Sequence, residues 1–299
     1  MIKPKIRRQL PLHLMVAPSF ILVLIFSYGP IVGLMIAFQK FSIVKGMFGS
    51  PFVGWDNFDY MFKLPEIWQV IRNTVGISIM KIAAGLVVPI LVALLLNEVR
   101  KQAFKRWIQT MIYLPHFLSW IILGGVLIDI LSPTSGIVNQ FLGLFGIEPI
   151  FFLGNAHWFP VVVVISDVWK EFGFSTIVYL AALAGINPAL YEAAVIDGAN
   201  RWKQTLHITL PGMIPIIILL VTLSLGNVLN AGFDQIFNLY SPVVYESGDI
   251  IDTLVYRLGL EQAQYSLATA VGLIKSVVSI VLISGSYYLA YRAANYRIF

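Results

Sequence analysis

Cysteine is absent from the 299 residues, which excludes disulfides and thiolate metal sites and leaves the redox compartment unreadable. Charge is scarce too. Asp, Glu, Lys and Arg together make up 12% of the chain, against about 25% in an ordinary soluble domain. No Gly-x-x-x-x-Gly-Lys-Ser/Thr run occurs, so the chain carries no phosphate loop for ATP. Histidine is limited to His13, His116, His157 and His207. None lies four residues from another, so no helical metal pair can form. No nucleophile–histidine arrangement can be argued, and no basic run is long enough for nucleic acid. These absences predict no catalytic residue, no metal ligand and no cofactor in this chain.

What is present is apolar, at 58% of residues. A bilayer core about 30 Å thick needs roughly 20 apolar residues in a helix. Six stretches qualify, at about 14–38, 74–96, 107–131, 158–183, 214–233 and 268–291. The expected fold is all-α, a single polytopic membrane domain over 1–299 with about six transmembrane helices. The first stretch is too long for a signal-peptide core, and no small-residue cleavage site follows it, so it reads as an uncleaved helix.

Lys and Arg set the orientation. With the start of the chain inside, the inner segments hold Lys3, Lys5, Arg7, Arg8, Arg100, Lys101, Lys105, Arg106, Arg201, Lys203, Arg292 and Arg297. The outer segments hold only Lys40, Lys45, Lys63, Arg72 and Arg257. Both ends are therefore expected in the cytoplasm, and the net charge of +5 reads as membrane anchoring. Of the outer loops, residues 52–58 are aromatic and 135–145 read as a short amphipathic segment at the surface. Ordinary aromatic-belt and loop packing explains either equally well.

The connection after the fourth stretch, residues 187–211, has interpretable chemistry. Asn187 can cap a helix that starts at Pro188. Residues 191–196 continue it, and the small Ala193 and Ala194 let another surface approach. Gly198 permits the positive φ that ends a helix. A helix resumes at Arg201, and Pro211 marks a kink before the next stretch. The result is a helix–turn–helix suited to docking in a partner's cleft; the blander reading is an amphipathic loop.

Glu192-Ala193-Ala194, then Asp197-Gly198, then the Ile208-Thr209-Leu210-Pro211 end, resembles the cytoplasmic EAA loop of binding-protein-dependent ABC importer permeases. Tyr113-Leu114-Pro115, Gly136-Ile137-Val138-Asn139 and Trp169 look like the carbohydrate branch of that family. Residues 265–276 look like its polysaccharide-type subgroup, similar to importers of oligosaccharides, including acidic ones.

The resemblance implies a type I importer permease in the bacterial cytoplasmic membrane. Glu192, Ala193, Ala194, Asp197, Gly198 and Ala199 would couple to an ABC ATPase dimer that holds the ATP and Mg. Its other implied partners are a second, homologous permease, an extracellular or periplasmic binding protein and an oligosaccharide substrate, with lipid around it. Six helices are few to enclose a large sugar, which agrees with a second permease.

Charges inside membrane helices cost about 2.5–3.5 kcal/mol each on insertion scales and tend to face a cavity or a partner. Asp167, Lys170 and Glu171 stand at i, i+3 and i+4, so they share one helix face. With Trp169 and Phe174 they form one candidate sugar path, Trp169 as the stacking platform; an ion cluster against the partner permease is the plainer reading. Ser224, Asn227 and Asn230 step by three along the fifth stretch as a polar stripe, followed by Asp234. Sugar contact and helix–helix hydrogen bonding are both open for them. Lys81 and Lys275 read as lone membrane cations, more ordinarily snorkelling or at an interface, although three intramembrane lysines would suit an acidic sugar. The outer loop 238–262, acidic and tyrosine-bearing, would face the binding protein, with ordinary loop structure as the open alternative. Other readings are a permease for a different solute, such as a small sugar or a glycerol phosphodiester, or an ion-coupled carrier relaying through Asp167, Lys170 and Glu171. An integral membrane enzyme is opposed by the missing catalytic set.

Overall fold

A computed structural model describes residues 4–294. Lys3 and Arg297, counted above for orientation, lie outside the described residues. Among the described residues the chain is helical, with one isolated bridge, Gln39 to Phe52, as its only extended pairing. The helices used below are α1 (Pro4–Val23), α2 (Asp56–Lys63), α3 (Ile67–Glu98), α4 (Gln102–Tyr113), α5 (Trp120–Ile130), α6 (Ile137–Gly143), α7 (Trp158–Ala184), α8 (Pro188–Ile196), α9 (Arg201–Gln204), α10 (Leu210–Gly226), α11 (Phe233–Leu239), α12 (Ile251–Tyr256) and α13 (Tyr265–Ala294). Four helical runs are long and apolar enough to cross a membrane: Pro11–Phe38, Ile67–Glu98, Arg201–Gly226 and Tyr265–Tyr288. Two bent pairs raise the number to six if each counts as one span.

Three expected spans differ in detail. The first is helical throughout but changes hand-hold along its length, from α to a π turn at Leu24–Tyr28 and then to a 3-10 run at Gly29–Phe38. Pro30 at the start of that run cannot donate a backbone hydrogen bond. The third, expected unbroken over 107–131, turns by 100° between Phe117 and Trp120. Pro115 lies in a 3-10 turn there, Leu118 is extended, and Ser119 caps α5 by accepting from the Ile122 N–H at 3.3 Å. The fifth is shifted: its helix starts at Arg201 and stops at Gly226, not Phe233.

The chain divides into two compact units. One comprises residues through Leu64 and Val255–Ile274. Its centre is Ala37, Phe58 and Ala270, with Phe38, Leu273 and Ile274 against them. The expected aromatic segment lies here, with Trp55 edge-on to Phe38 at 5.4 Å.

The other unit comprises Pro65–Leu254 and residues 275–294. The most extensive helix contact in it is between α3 and α7. Ala93, Tyr179, Leu183 and Met213 form one core where α3, α7 and α10 meet. A second gathers around Phe159, Ile236, Val244 and Ile250. The amphipathic segment expected at 135–145 is α6, and its buried Asn139 is the fixing point. The Asn139 side chain donates to the carbonyls of Ser132 and Ile150, both at 3.0 Å, and accepts from the Ile150 N–H at 2.9 Å. An Asn139→Ala variant would strand these backbone groups. A loss of about 2–3 kcal/mol is expected, read as a lowered melting temperature in detergent with helix content unchanged.

Candidate functional site: a surface helix and a cavity

The connection expected to carry the signal folds as its residues dictate. Asn187 caps α8, its side-chain oxygen accepting from the Ala189 N–H at 3.0 Å, and Pro188 takes the first helical position. Gly198 has φ +74°, and the Ala199 N–H closes the turn on the Ala194 carbonyl at 2.8 Å. Asn200 caps α9 through the Lys203 N–H at 2.9 Å. α8 leaves α7 at 68°.

Glu192, Ala193, Asp197 and Gly198 are exposed, while Ala194 and Ala199 are half-buried. Ile196 and Val195 present 86% and 63% of their surface, so apolar side chains project from the helix with the carboxylates. Two contacts hold the element from below. The Tyr191 hydroxyl meets Thr209 Oγ1 at 3.0 Å, and Arg201 pairs with Glu98 at 2.9 Å.

A cavity of about 580 Å³ lies among α3, α7, α10 and the segment after α10. That volume falls within the roughly 300–1,000 Å³ of ligand pockets. Its wall brings together five candidates: Asp167, Phe174, Ser224, Asn227 and Asn230. It also includes Lys81, and Ser78, Ser175 and Tyr179, which sequence reasoning passed over. Trp169, Lys170, Glu171 and Asp234 do not line it. Trp169 is 47% exposed, and Asp234 is exposed in the first turn of α11.

The polar stripe expected on the fifth helix is corrected. Only Ser224 is within α10; Asn227 is its C-cap, at φ −102°, and Asn230 lies in the turn beyond. Helix ends leave backbone groups unpaired, and here the break sets two amide side chains at the cavity instead of along a helix.

Asp167, Lys170 and Glu171 stand along one unbroken helix as expected, but they do not form one cluster. Asp167 turns to α3 and pairs with Lys81 at 3.1 Å. Lys170 and Glu171 turn to the bent pair. Lys170 donates to the His116 carbonyl at 2.8 Å and to Glu171 at 2.9 Å, and Glu171 meets His116 Nδ1 at 2.7 Å. His116 stacks on Phe174 with centroids 4.1 Å apart. This cluster braces the 100° bend and supplies a hydrogen bond to a carbonyl freed there, as a backbone group without a helical partner requires.

Neither Lys81 nor Lys275 is a lone cation, because Lys275 is paired with Asp252. The unforeseen residue is Gln235, wholly buried, whose amide joins Lys81 to α7. Its position after a loop glycine gives no periodic signal in sequence.

Comparison with known proteins agrees with this architecture. The family model described as "Binding-protein-dependent transport system inner membrane component" matches residues 85–295. The polygalacturonan/rhamnogalacturonan transport system permease protein YteP of Bacillus subtilis (strain 168) is 41% identical over 279 residues, 93% of this chain and 87% of the relative. A crystal structure of a bacterial ABC transporter involved in import of the acidic polysaccharide alginate contains a chain with TM-score 0.89 and 40% identity, covering 96% of this chain and 97% of that one. A second, of a bacterial alginate ABC transporter with an alginate pentasaccharide-bound periplasmic protein, gives TM-score 0.89 at 39% identity, covering 98% of both chains. The chain is thus a multi-pass membrane protein belonging to the family of binding-protein-dependent transport system inner membrane components.

Proposed function

We propose that this chain is one of two permease subunits of an ATP-driven importer that passes a polysaccharide-derived, acidic oligosaccharide into a bacterial cytoplasm. The observation that carries the reading is the cavity of about 580 Å³, where Asp167, Ser224, Asn227 and Asn230 are set among apolar side chains, on a chain that also presents the exposed α8. Likeness to permeases of polygalacturonan and alginate systems over nearly the full length supports the substrate class.

In this reading both ends and α8 lie in the cytoplasm. An ATPase dimer, holding ATP and Mg, takes α8 in a cleft, with Glu192 meeting a basic group and Ala193, Ala194, Asp197, Gly198 and Ala199 forming the close contact. Closure of the ATPases moves the two surface helices together and opens the path outward to a loaded binding protein. Such coupling needs a rigid lever and a two-state path, not a reacting group in the permease. Phe174, Ser224, Asn227 and Asn230 touch the sugar, and the charges of Lys170 and Glu171 serve the bend. A proton relay through Asp167, Lys170 and Glu171 is opposed by their separate pairings.

The test is to purify the chain with its neighbours, reconstitute the complex, and measure binding-protein-stimulated ATP hydrolysis over a panel of neutral and uronate-containing oligosaccharides. Stimulation by uronate-containing members is expected. Stimulation by none of the sugars, or by a glycerol phosphodiester alone, would overturn the reading.

A further inference from the structure

Lys81 would ordinarily be taken as the group that receives an acidic sugar, since among the described residues it is the one cation in the wall of the cavity. Its surroundings assign it differently. An ammonium has three N–H donors and no acceptor. All three are engaged: by Asp167 Oδ1 at 3.1 Å, by the Ala231 carbonyl at 2.8 Å and by the Gln235 side-chain oxygen. Gln235 is itself fixed, donating to the Val163 carbonyl and to Ser166 Oγ, each at 2.8 Å.

Ala231 and Gln235 bracket Gly232, whose φ is +93°. A Cβ at Gly232 would stand 2.9 Å from Lys81 Nζ. Lys81 therefore ties the turn after α10 to both α3 and α7, and that turn carries Asn227 and Asn230 into the wall. The exposures agree. The Lys81 side chain is 10% exposed and that of Asp167 is 26%, so the face offered to a solute is the carboxylate edge. It accepts hydroxyl donors and repels a uronate.

We infer that Lys81 is a positioning residue that pins the Asn227–Gly232 turn to the cavity wall, and that this wall recognises sugar hydroxyls and not sugar carboxylates. The inference rests on the proposed oligosaccharide path. It means that the negative charge of an acidic substrate is met outside this wall, by the partner permease or the binding protein.

Two measurements test it on the assembled transporter. In the first, kcat/KM of binding-protein-stimulated ATP hydrolysis is compared for neutral and uronate-containing oligosaccharides of equal length. Gln235→Leu, which keeps the Lys81–Asp167 pair, is expected to lower both by at least about tenfold, with the acidic-to-neutral ratio held within about twofold of the parent. Loss of about tenfold on the acidic sugar with the neutral one untouched would overturn the inference.

The second does not depend on the substrate. Since the chain has no cysteine, an Asn230→Cys reporter can be labelled with N-ethylmaleimide and quantified by the mass of this chain. Lys81→Met and Gln235→Leu should each change the labelling rate by at least about fivefold, and Lys81→Arg should restore it most of the way, because Arg keeps the charge and donors. An unchanged rate in both would show that the turn is not pinned. Should Lys81→Met fail to assemble, Gln235→Leu carries both measurements with the ion pair retained. A parent transporter that responds to no oligosaccharide would remove the substrate reading while the labelling result still decides the pin.

Discussion

A single proline in the exposed helix should abolish transport with the rest of the chain still folded. The variant is Ala193→Pro. α8 has nine residues, about two and a half turns, and a helix that short is marginal without outside support. Proline at 193 removes one backbone donor and clashes with the carbonyl of Ala189, at about 3 kcal/mol. The end caps, Asn187 and Gly198, cannot compensate for a break between them. Ala193 is exposed, so no core packing is disturbed. Uptake and binding-protein-stimulated ATP hydrolysis are expected to fall by about 100-fold or more, since a helix penalty of about 3 kcal/mol at about 1.4 kcal/mol per factor of ten already corresponds to about that loss. Copurification of the ATPases should fall with them, whereas Ala193→Ser should leave all three within about twofold. Normal uptake by the proline variant would remove α8 from the coupling path.

The second large effect is structural. At Gly173 an added Cβ would lie 1.9 Å from the carbonyl oxygen of Ile112 and 2.5 Å from its carbon. Those are backbone atoms at the end of α4, and no rotamer change can move them aside. Gly173→Val must push α7 away from α4, at the place where Lys170, Glu171 and His116 hold the bend. Overpacking costs about 1–3 kcal/mol, occasionally more, and the upper end is expected here. For a chain of this size that corresponds to a drop of about 6–12 °C in melting temperature, or to failure to accumulate in the membrane. The expected measurement is thermal unfolding in detergent beside Gly143→Ala, where nothing lies within 4 Å of the added atom. Equal melting temperatures would contradict the close approach.

Much of this molecule was legible from residue pattern alone. Apolar length identified most of the crossing helices, and local chemistry identified the Asn187 cap, Pro188 start and Gly198 turn, because these act on their immediate neighbours, whereas the Asn200 cap and the π turn at Thr205–Thr209 were not foreseen. The cavity was less legible, for reasons of range. The fifth stretch stays apolar past Gly226, so hydropathy carried the helix on to Phe233 and made a stripe of residues that a turn separates. Lys81 and Asp167 are 86 positions apart, as are none of the pairs that helix spacing can suggest. Helix periodicity placed Lys170 and Glu171 along the same helix as Asp167, but their partner His116 comes from beside the 100° bend, which composition does not reveal. Gln235 gave no signal at all, since its partners come from α3 and α7 and not from its own helix.

Between the exposed helix and the cavity lies the π turn at Thr205–Thr209. Such a turn holds one residue more than an α-helix over the same path. Each residue of an α-helix contributes about 100° of rotation. The turn therefore sets the angular phase between α9 and the side of α10 that carries Ser224, much as one tooth sets the timing between two geared shafts. Losing one residue from this short connection would rotate α9 relative to the side of α10 that carries Ser224 by about 100°.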